Sequence, residues 1–79
     1  MMVRLENIKR TERCISCDFY PEDSVLPGKM SVDIPKLEMK CYLPDGYEWC
    51  SSHVQHAAMT LRKLFEAETL PSRKMIMWY

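Results

Sequence analysis

Four cysteines and two histidines are the residues of this chain whose types and spacing most directly suggest chemistry. Cys14 and Cys17 have a Cys-x2-Cys spacing, and Cys50, His53 and His56 follow one another at intervals of three. Thiolates and imidazoles at such spacings are the usual ligands of structural zinc. The candidate metal ligands of this sequence are therefore Cys14, Cys17, Cys50 and His53.

The residues around Cys14 argue against that zinc site. Residues 14–20 alternate in the manner of a β-strand, which places Cys14 and Cys17 on opposite faces. Zinc-binding Cys-x2-Cys pairs come from turns, and redox-active pairs from the N-terminus of a helix. We therefore expect four reduced thiols and neither a metal nor another cofactor, and a zinc-stabilised module is the third hypothesis for function.

A thiol and an imidazole also suggest nucleophilic catalysis. Cys50 or Cys41 would attack, His53 would act as the base, and Glu48 or Asp45 would orient the imidazole. A chain of 79 residues offers little material for a closed substrate pocket, and its two glycines cannot form a glycine-rich phosphate loop. We expect this protein not to be an enzyme.

A cluster of basic residues near the start of the chain is the candidate nucleic-acid surface, with two tyrosines on later strands as stacking platforms. The basic residues are Arg4, Lys9, Arg10 and Arg13, and the tyrosines are Tyr20 and Tyr42. The formal net charge of the chain is zero, whereas nucleic-acid-binding domains usually carry a basic excess. A nucleic-acid-binding accessory domain is therefore the alternative hypothesis, and we do not expect nucleic acid as the main partner.

Length and composition bound the elements that must position these residues. Seventy-nine residues, 47% hydrophobic and 28% charged, predict one folded domain over residues 1–79 rather than a disordered chain. No stretch approaches the roughly twenty apolar residues that span a bilayer. Charged residues at Arg4, Glu6 and Lys9 are not expected of a secretory signal. We therefore expect a cytoplasmic protein without a membrane-spanning segment.

Alternating apolar residues predict a series of strands before residue 51. Residues 3–9 and 12–20 form a hairpin, with Ile15, Cys17 and Phe19 on one face, and the turn-rich residues 21–28 form a loop that is a candidate for mobility. Residues 30–34 and 37–43 form a second hairpin around Pro35-Lys36, in which Leu37 and Met39 share the apolar face. A further strand over residues 47–50 follows a three-residue loop, a register that leaves Cys41 and Cys50 unbonded.

One helix is predicted over residues 53–67, after a capping box formed by Ser52 and Gln55. Its apolar residues fall within one arc, typical of a helix packed on one face of a sheet: Val54, Ala57, Ala58, Leu61, Leu64 and Phe65. The fold class is α+β, a mostly antiparallel sheet of four to six strands with the helix on one face. The element order is β-β-β-β-(β)-α-β.

The last strand, residues 73–79, does not alternate. Its final five residues are apolar on both faces, namely Met75, Ile76, Met77, Trp78 and Tyr79. A single helix covers one face of a sheet, so the other face of this strand needs a different cover. A second copy of the chain, the loop 21–28 or a strongly curled first hairpin would supply it, and we favour the second copy.

These observations favour a small, non-catalytic interaction or accessory module. We expect it to form a homodimer through residues 75–79, and an unidentified protein partner is compatible with the same surface.

Overall fold

The computed structural model describes all residues from 1 to 79. The strands are β1 (Met2–Arg10), β2 (Cys14–Pro21), β3 (Gly28–Asp33), β4 (Glu38–Tyr42) and β5 (Arg73–Met77), and one helix, α1 (Ser51–Phe65), separates β4 from β5. All strand pairs are antiparallel, and the sheet order is β4-β3-β2-β1-β5. The predicted α+β fold is therefore confirmed.

The hydrophobic core lies between the helix and one face of the sheet. Alternation in β2 directs Ile15, Cys17 and Phe19 to this face, as predicted, and all three are buried. The predicted apolar arc of α1 is also confirmed, since all its members are buried in the core or packed against it. The opposite face of the sheet carries no helix, and we call it the open face.

A β-bulge in β1 determines which residues reach the open face. Glu6 pairs with Asp18 and Lys9 pairs with Ser16, so two residues of β1 oppose one residue of β2. The first of the two, Asn7, has a φ of 52°, a conformation that asparagine tolerates better than most residues. The bulge buries Ile8 and leaves Lys9 on the same face as Glu6.

The optional strand over residues 47–50 does not form, and that prediction is wrong. Residues 44–50 make two consecutive tight turns, in which Tyr47 N donates to Pro44 O (3.1 Å) and Cys50 N donates to Tyr47 O (3.0 Å). Tyr47 and Trp49 pack against each other within these turns, with ring centroids 6.3 Å apart. Alternating aromatic residues thus fit a pair of turns as well as a strand.

The helix begins and ends two residues earlier than predicted, and the capping box is absent. The N-cap residue is Cys50, and no side chain caps the first turn. Val54 N donates to Cys50 O at 3.2 Å, so α1 starts at Ser51 and includes Ser52 in its first turn. The C-terminal end of α1, at Phe65, is stabilised by the side chain of Arg10 in β1.

The turn between β3 and β4 spans four residues rather than the predicted two. Asp33 pairs with Glu38, and residues 34–37 connect them. Leu37 lies in this turn with a φ of 55° and is exposed, so its predicted place on the apolar face is wrong. Met39 does pair with the buried Val32 on the helix side, but β4 is an edge strand and Met39 stays partly exposed.

No helix of the structure has the length and apolar character needed to cross a bilayer.

Candidate functional site

Strand β5 forms one edge of the sheet and is bonded only to β1. Met77 pairs with Met2 and Met75 pairs with Arg4 on the open face, while Ile76 pairs with the buried Val3 on the helix side. The terminal amine of Met1 donates to Trp78 O at 2.8 Å, and Trp78 N donates back to Met1 O at 3.0 Å. The start of the chain therefore holds the whole C-terminal strand in place.

The five residues predicted to form an interface divide between the two faces. Ile76 and Trp78 are half-buried against the core. Met75 is 47% exposed, Met77 is 73% exposed, and Tyr79 is fully exposed. Neither the loop 21–28 nor the first hairpin covers them, so the second face of β5 is bare in the monomer.

The two edges of the sheet differ in chemical character. The opposite edge strand, β4, alternates charged and apolar residues, with Glu38 and Lys40 pointing to the open face. Such charges discourage pairing with another sheet. In β5, charge is confined to Arg73 and Lys74, and the side chains of residues 75–79 are uncharged. The unprotected edge of this molecule is therefore the second half of β5.

A buried histidine occupies the junction between α1, β1 and the loop after β2. His53 is 1% exposed, and its Nε2 donates to Glu22 Oε2 at 2.6 Å. The same carboxylate oxygen accepts a hydrogen bond from Met2 N at 2.8 Å. Both bonds stabilise the ionised carboxylate, the Met2 bond most, and they lower the pKa of Glu22.

Aromatic rings enclose this histidine. Trp49 and Trp78 meet the His53 ring edge-on, with centroids 5.5 Å and 4.8 Å away. His56 stacks on Trp78 at 4.1 Å and is therefore only half-exposed. His53 Nδ1 is buried without a hydrogen-bond partner. This junction is a packed structural element with one unsatisfied nitrogen.

The junction lacks an activated nucleophile. Burial raises the pKa of the Cys50 thiol, and the nearby charge of Glu22 raises it further, so the thiol is protonated at neutral pH. The carboxylate bonded to His53 is Glu22, not the Glu48 or Asp45 expected from the sequence. Glu48 instead accepts a hydrogen bond from Gly46 N within the turn. Sequence reasoning missed Glu22 because it lies 31 residues before His53 and shares no local pattern with it.

The candidate metal ligands lie apart. Cys14 pairs with Asp33 on the open face, and Cys17 pairs with Met30 on the buried face. Burial is the main cause that raises the pKa of Cys17 to about 12. No three His, Cys, Asp or Glu side chains are grouped where they could hold a metal ion, and all four cysteines are free.

The candidate nucleic-acid residues only partly share a surface, because Arg4, Lys9, Tyr20 and Tyr42 lie on the open face whereas Arg10 and Arg13 do not. Arg10 Nη1 donates to the backbone oxygens of Leu64 (3.0 Å), Phe65 (3.2 Å) and Ala67 (2.6 Å), and it thereby caps the end of α1. Arg4 lies over the Tyr20 ring at 4.4 Å and pairs with Glu6 at 2.5 Å. Arg13 is exposed in the turn between β1 and β2, and Lys9 lies on the open face.

A cavity of about 480 Å³ lies on the open face. It spans β1 to β4, and its lining includes three lysines, two serines and a tyrosine. Asp18 is the only carboxylate in the lining, and it forms an ion pair with Lys29. The bulge in β1 directs Lys9 into this cavity, and the sequence pattern did not predict that bulge.

Comparison with protein-family models, with characterised proteins and with solved structures finds no match to this chain, so its own geometry carries the functional argument.

Proposed function

We propose that this chain is a non-catalytic interaction module that self-associates, with β5 of one copy pairing antiparallel to β5 of another. The bare methionines Met75 and Met77 on an unprotected edge strand are the observation that carries this proposal. We place the module in the cytoplasm, where its four free thiols stay reduced.

The backbone of β5 supports this pairing. Its hydrogen bonds on one side go to β1, and the other side has no strand partner. A second strand would bond to these free groups and place its own apolar side chains beside Met75 and Met77 within the sheet. The charged residues of β4 disfavour that edge, so pairing of β5 with β5 is preferred over pairing with β4.

A register centred on Ile76 fits the side chains best. Identical antiparallel strands pair around a two-fold axis perpendicular to the sheet. With the axis at Ile76, each Met75 lies opposite Met77 of the second copy, and each Arg73 lies opposite a tyrosine at position 79. An arginine beside an aromatic ring is favourable, whereas a register centred on Lys74 would oppose two ammonium groups.

This symmetry places both helices on one side of a continuous ten-stranded sheet and both open faces on the other. The dimer would thus double the open face without covering it.

The test replaces Met77 with glutamate and measures mass in solution against protein concentration. We expect a mass near twice 9.4 kDa for the unchanged protein, and a dissociation constant at least about tenfold higher for Met77→Glu, because a carboxylate in an apolar strand pair is costly. Met77 is exposed, so the variant should keep its circular dichroism spectrum. Trp78→Glu is unsuitable, since Trp78 packs on His53 and His56.

Met59→Glu is the matched control, because Met59 is 55% exposed on α1, which packs mainly on β1, β2 and β3. It should associate as the unchanged protein does. A monomer of 9.4 kDa at high concentration would overturn the proposal, as would equal dissociation in both variants. If β5 pairs only with a strand of a different protein, self-association is contradicted and β5 is instead a binding edge for that protein.

A further inference from the structure

The open face carries a row of hydrogen-bond donors that crosses four strands. Lys9 of β1 pairs with Ser16 of β2, Ser16 pairs with Ser31 of β3, and Ser31 pairs with Lys40 of β4. Paired residues of neighbouring antiparallel strands have side chains about 5 Å apart on the same face. The row therefore presents an ammonium group, two hydroxyl groups and a second ammonium group, in that order, along the lining of the 480 Å³ cavity.

None of these four side chains forms an ion pair or a side-chain hydrogen bond within the protein. The two lysines form none of the four ion pairs of the structure. Neither serine hydroxyl forms a side-chain hydrogen bond, whereas Ser24 bonds to Leu26 O at 2.6 Å. All four are at least partly exposed, so a ligand reaches them from solvent.

The remaining charges of the cavity balance one another. Lys29 forms an ion pair with Asp18, whose second oxygen accepts a hydrogen bond from Asn7 Nδ2 at 2.7 Å. These two bonds lower the pKa of Asp18, and the bond from Lys29 has the larger effect. The carboxylate therefore stays ionised and bonded to both donors. Asp33 and Glu38 lie on the next cross-strand row, outside the lining. The lining keeps an excess of two positive charges, from Lys9 and Lys40.

An unpartnered aromatic ring stands beside this row. Tyr42 is 69% exposed, lies two residues from Lys40 on the same face of β4, and stacks on no other ring. Residues two apart on a strand are separated by about 7 Å. A planar group attached to an anion bound by Lys40 would therefore reach the face of Tyr42.

We propose that the open face binds a phosphate monoester of an aromatic group. The ammonium groups of Lys9 and Lys40 match the charge of the monoester, which is close to −2 near neutral pH. The hydroxyls of Ser16 and Ser31 donate to its terminal oxygens, and the ring of the esterified group stacks on Tyr42. About 14 Å separates β1 from β4, the outer strands of the row. The side chains of Lys9 and Lys40 are flexible, so both ammonium groups can contact one phosphate between them.

The test follows backbone amide shifts by nuclear magnetic resonance while phenyl phosphate, inorganic phosphate or phenol is added at millimolar concentration. We expect phenyl phosphate to shift the amides of the row and to bind more tightly than inorganic phosphate, with phenol leaving them unchanged. Tyr42→Ala should remove the preference for phenyl phosphate while inorganic phosphate still binds.

Charge is tested with matched variants. Lys9→Gln and Lys40→Gln should each weaken binding of phenyl phosphate about fivefold, the effect of one exposed charge-assisted contact. Lys63→Gln, an exposed lysine of α1, makes the same change in net charge and should leave binding unchanged. Repeating the titration in Met77→Glu separates this site from self-association, because the row lies within one copy.

Three results would overturn the proposal. The first is the absence of shifts in the row with phenyl phosphate, and the second is equal weakening by Lys63→Gln and Lys40→Gln. The third is tighter binding of a single-stranded oligonucleotide, with shifts extending to Arg4 and Arg73, which would assign the open face to nucleic acid instead.

Discussion

The Glu22 carboxylate joins the loop after β2 to two other parts of the chain. Its Oε2 atom accepts hydrogen bonds from Met2 N at the start of β1 and from His53 Nε2 in the first turn of α1. Glu22 has a φ of 51°, a left-handed conformation that costs a non-glycine residue free energy. The two charge-assisted bonds offset that cost and fix where the helix meets the sheet.

Glu22→Gln should destabilise the fold. The amide keeps the shape of the carboxyl group but loses the negative charge, and each bond to it weakens. We expect the free energy of unfolding to fall by about 1–2 kcal/mol, measured by urea denaturation. Glu12→Gln is the control, since Glu12 is exposed and forms no ion pair or side-chain hydrogen bond, and it should change stability by less than about 0.5 kcal/mol. Equal effects would refute the role of Glu22.

At the level of secondary structure elements, Arg10 couples the end of β1 to the end of α1. The last carbonyl groups of a helix have no partner within it, and here the guanidinium supplies donors to Leu64, Phe65 and Ala67. The positive charge of the guanidinium also interacts favourably with the partial negative charge at the C-terminal end of the helix. This contact assigns Arg10 a structural role rather than a place on a binding surface.

Arg10→Met should shorten or loosen the last turn of α1, because methionine keeps an apolar stem and removes the donors. The free energy of unfolding should fall by about 1–2 kcal/mol, with faster amide hydrogen exchange at residues 64–68. Arg13→Met removes an exposed arginine of the neighbouring turn and should leave both measurements nearly unchanged. Unaltered exchange in Arg10→Met would show that the cap is dispensable.

For the whole molecule, two carboxylates make stability depend on pH in the acid range. The pKa values of Glu22 and Asp18 are lowered in the folded state, the first mainly by Met2 N and the second mainly by Lys29. A carboxylate with a lowered pKa contributes stability above its unfolded pKa and loses it as the folded state takes up the proton. Both contributions are therefore present at neutral pH.

Stability should stay level down to about pH 5 and then fall as the pH drops through the range of these carboxylates. Urea denaturation at a series of pH values measures this. Glu22→Gln and Asp18→Asn should each flatten the acid slope, because neither replacement group can take up a proton. An unchanged slope in both variants would contradict the assignment, and Glu12→Gln again serves as the control.

Local patterns predicted most of the fold because each depends only on neighbouring residues. The core-facing side chains can be predicted from the alternation in β2 and β3 and from the apolar arc of α1. Neither pattern depends on the order of the strands in the sheet. The errors fall where such patterns are ambiguous. Tyr47 and Trp49 alternate as a strand would but lie in turns, and Ser52 with Gln55 resembles a cap but already belongs to the helix.

Local sequence patterns were enough to predict the α+β class, the two faces of most strands, and the apolar character of residues 75–79. The position of β5 at an edge, the contact of Glu22 with His53, and the row of Lys9, Ser16, Ser31 and Lys40 became visible in the folded molecule alone. The groups in each of these arrangements are far apart along the chain. These groups are brought together by strand order and register, which satisfy the packing of the whole core and leave no signal in any single segment.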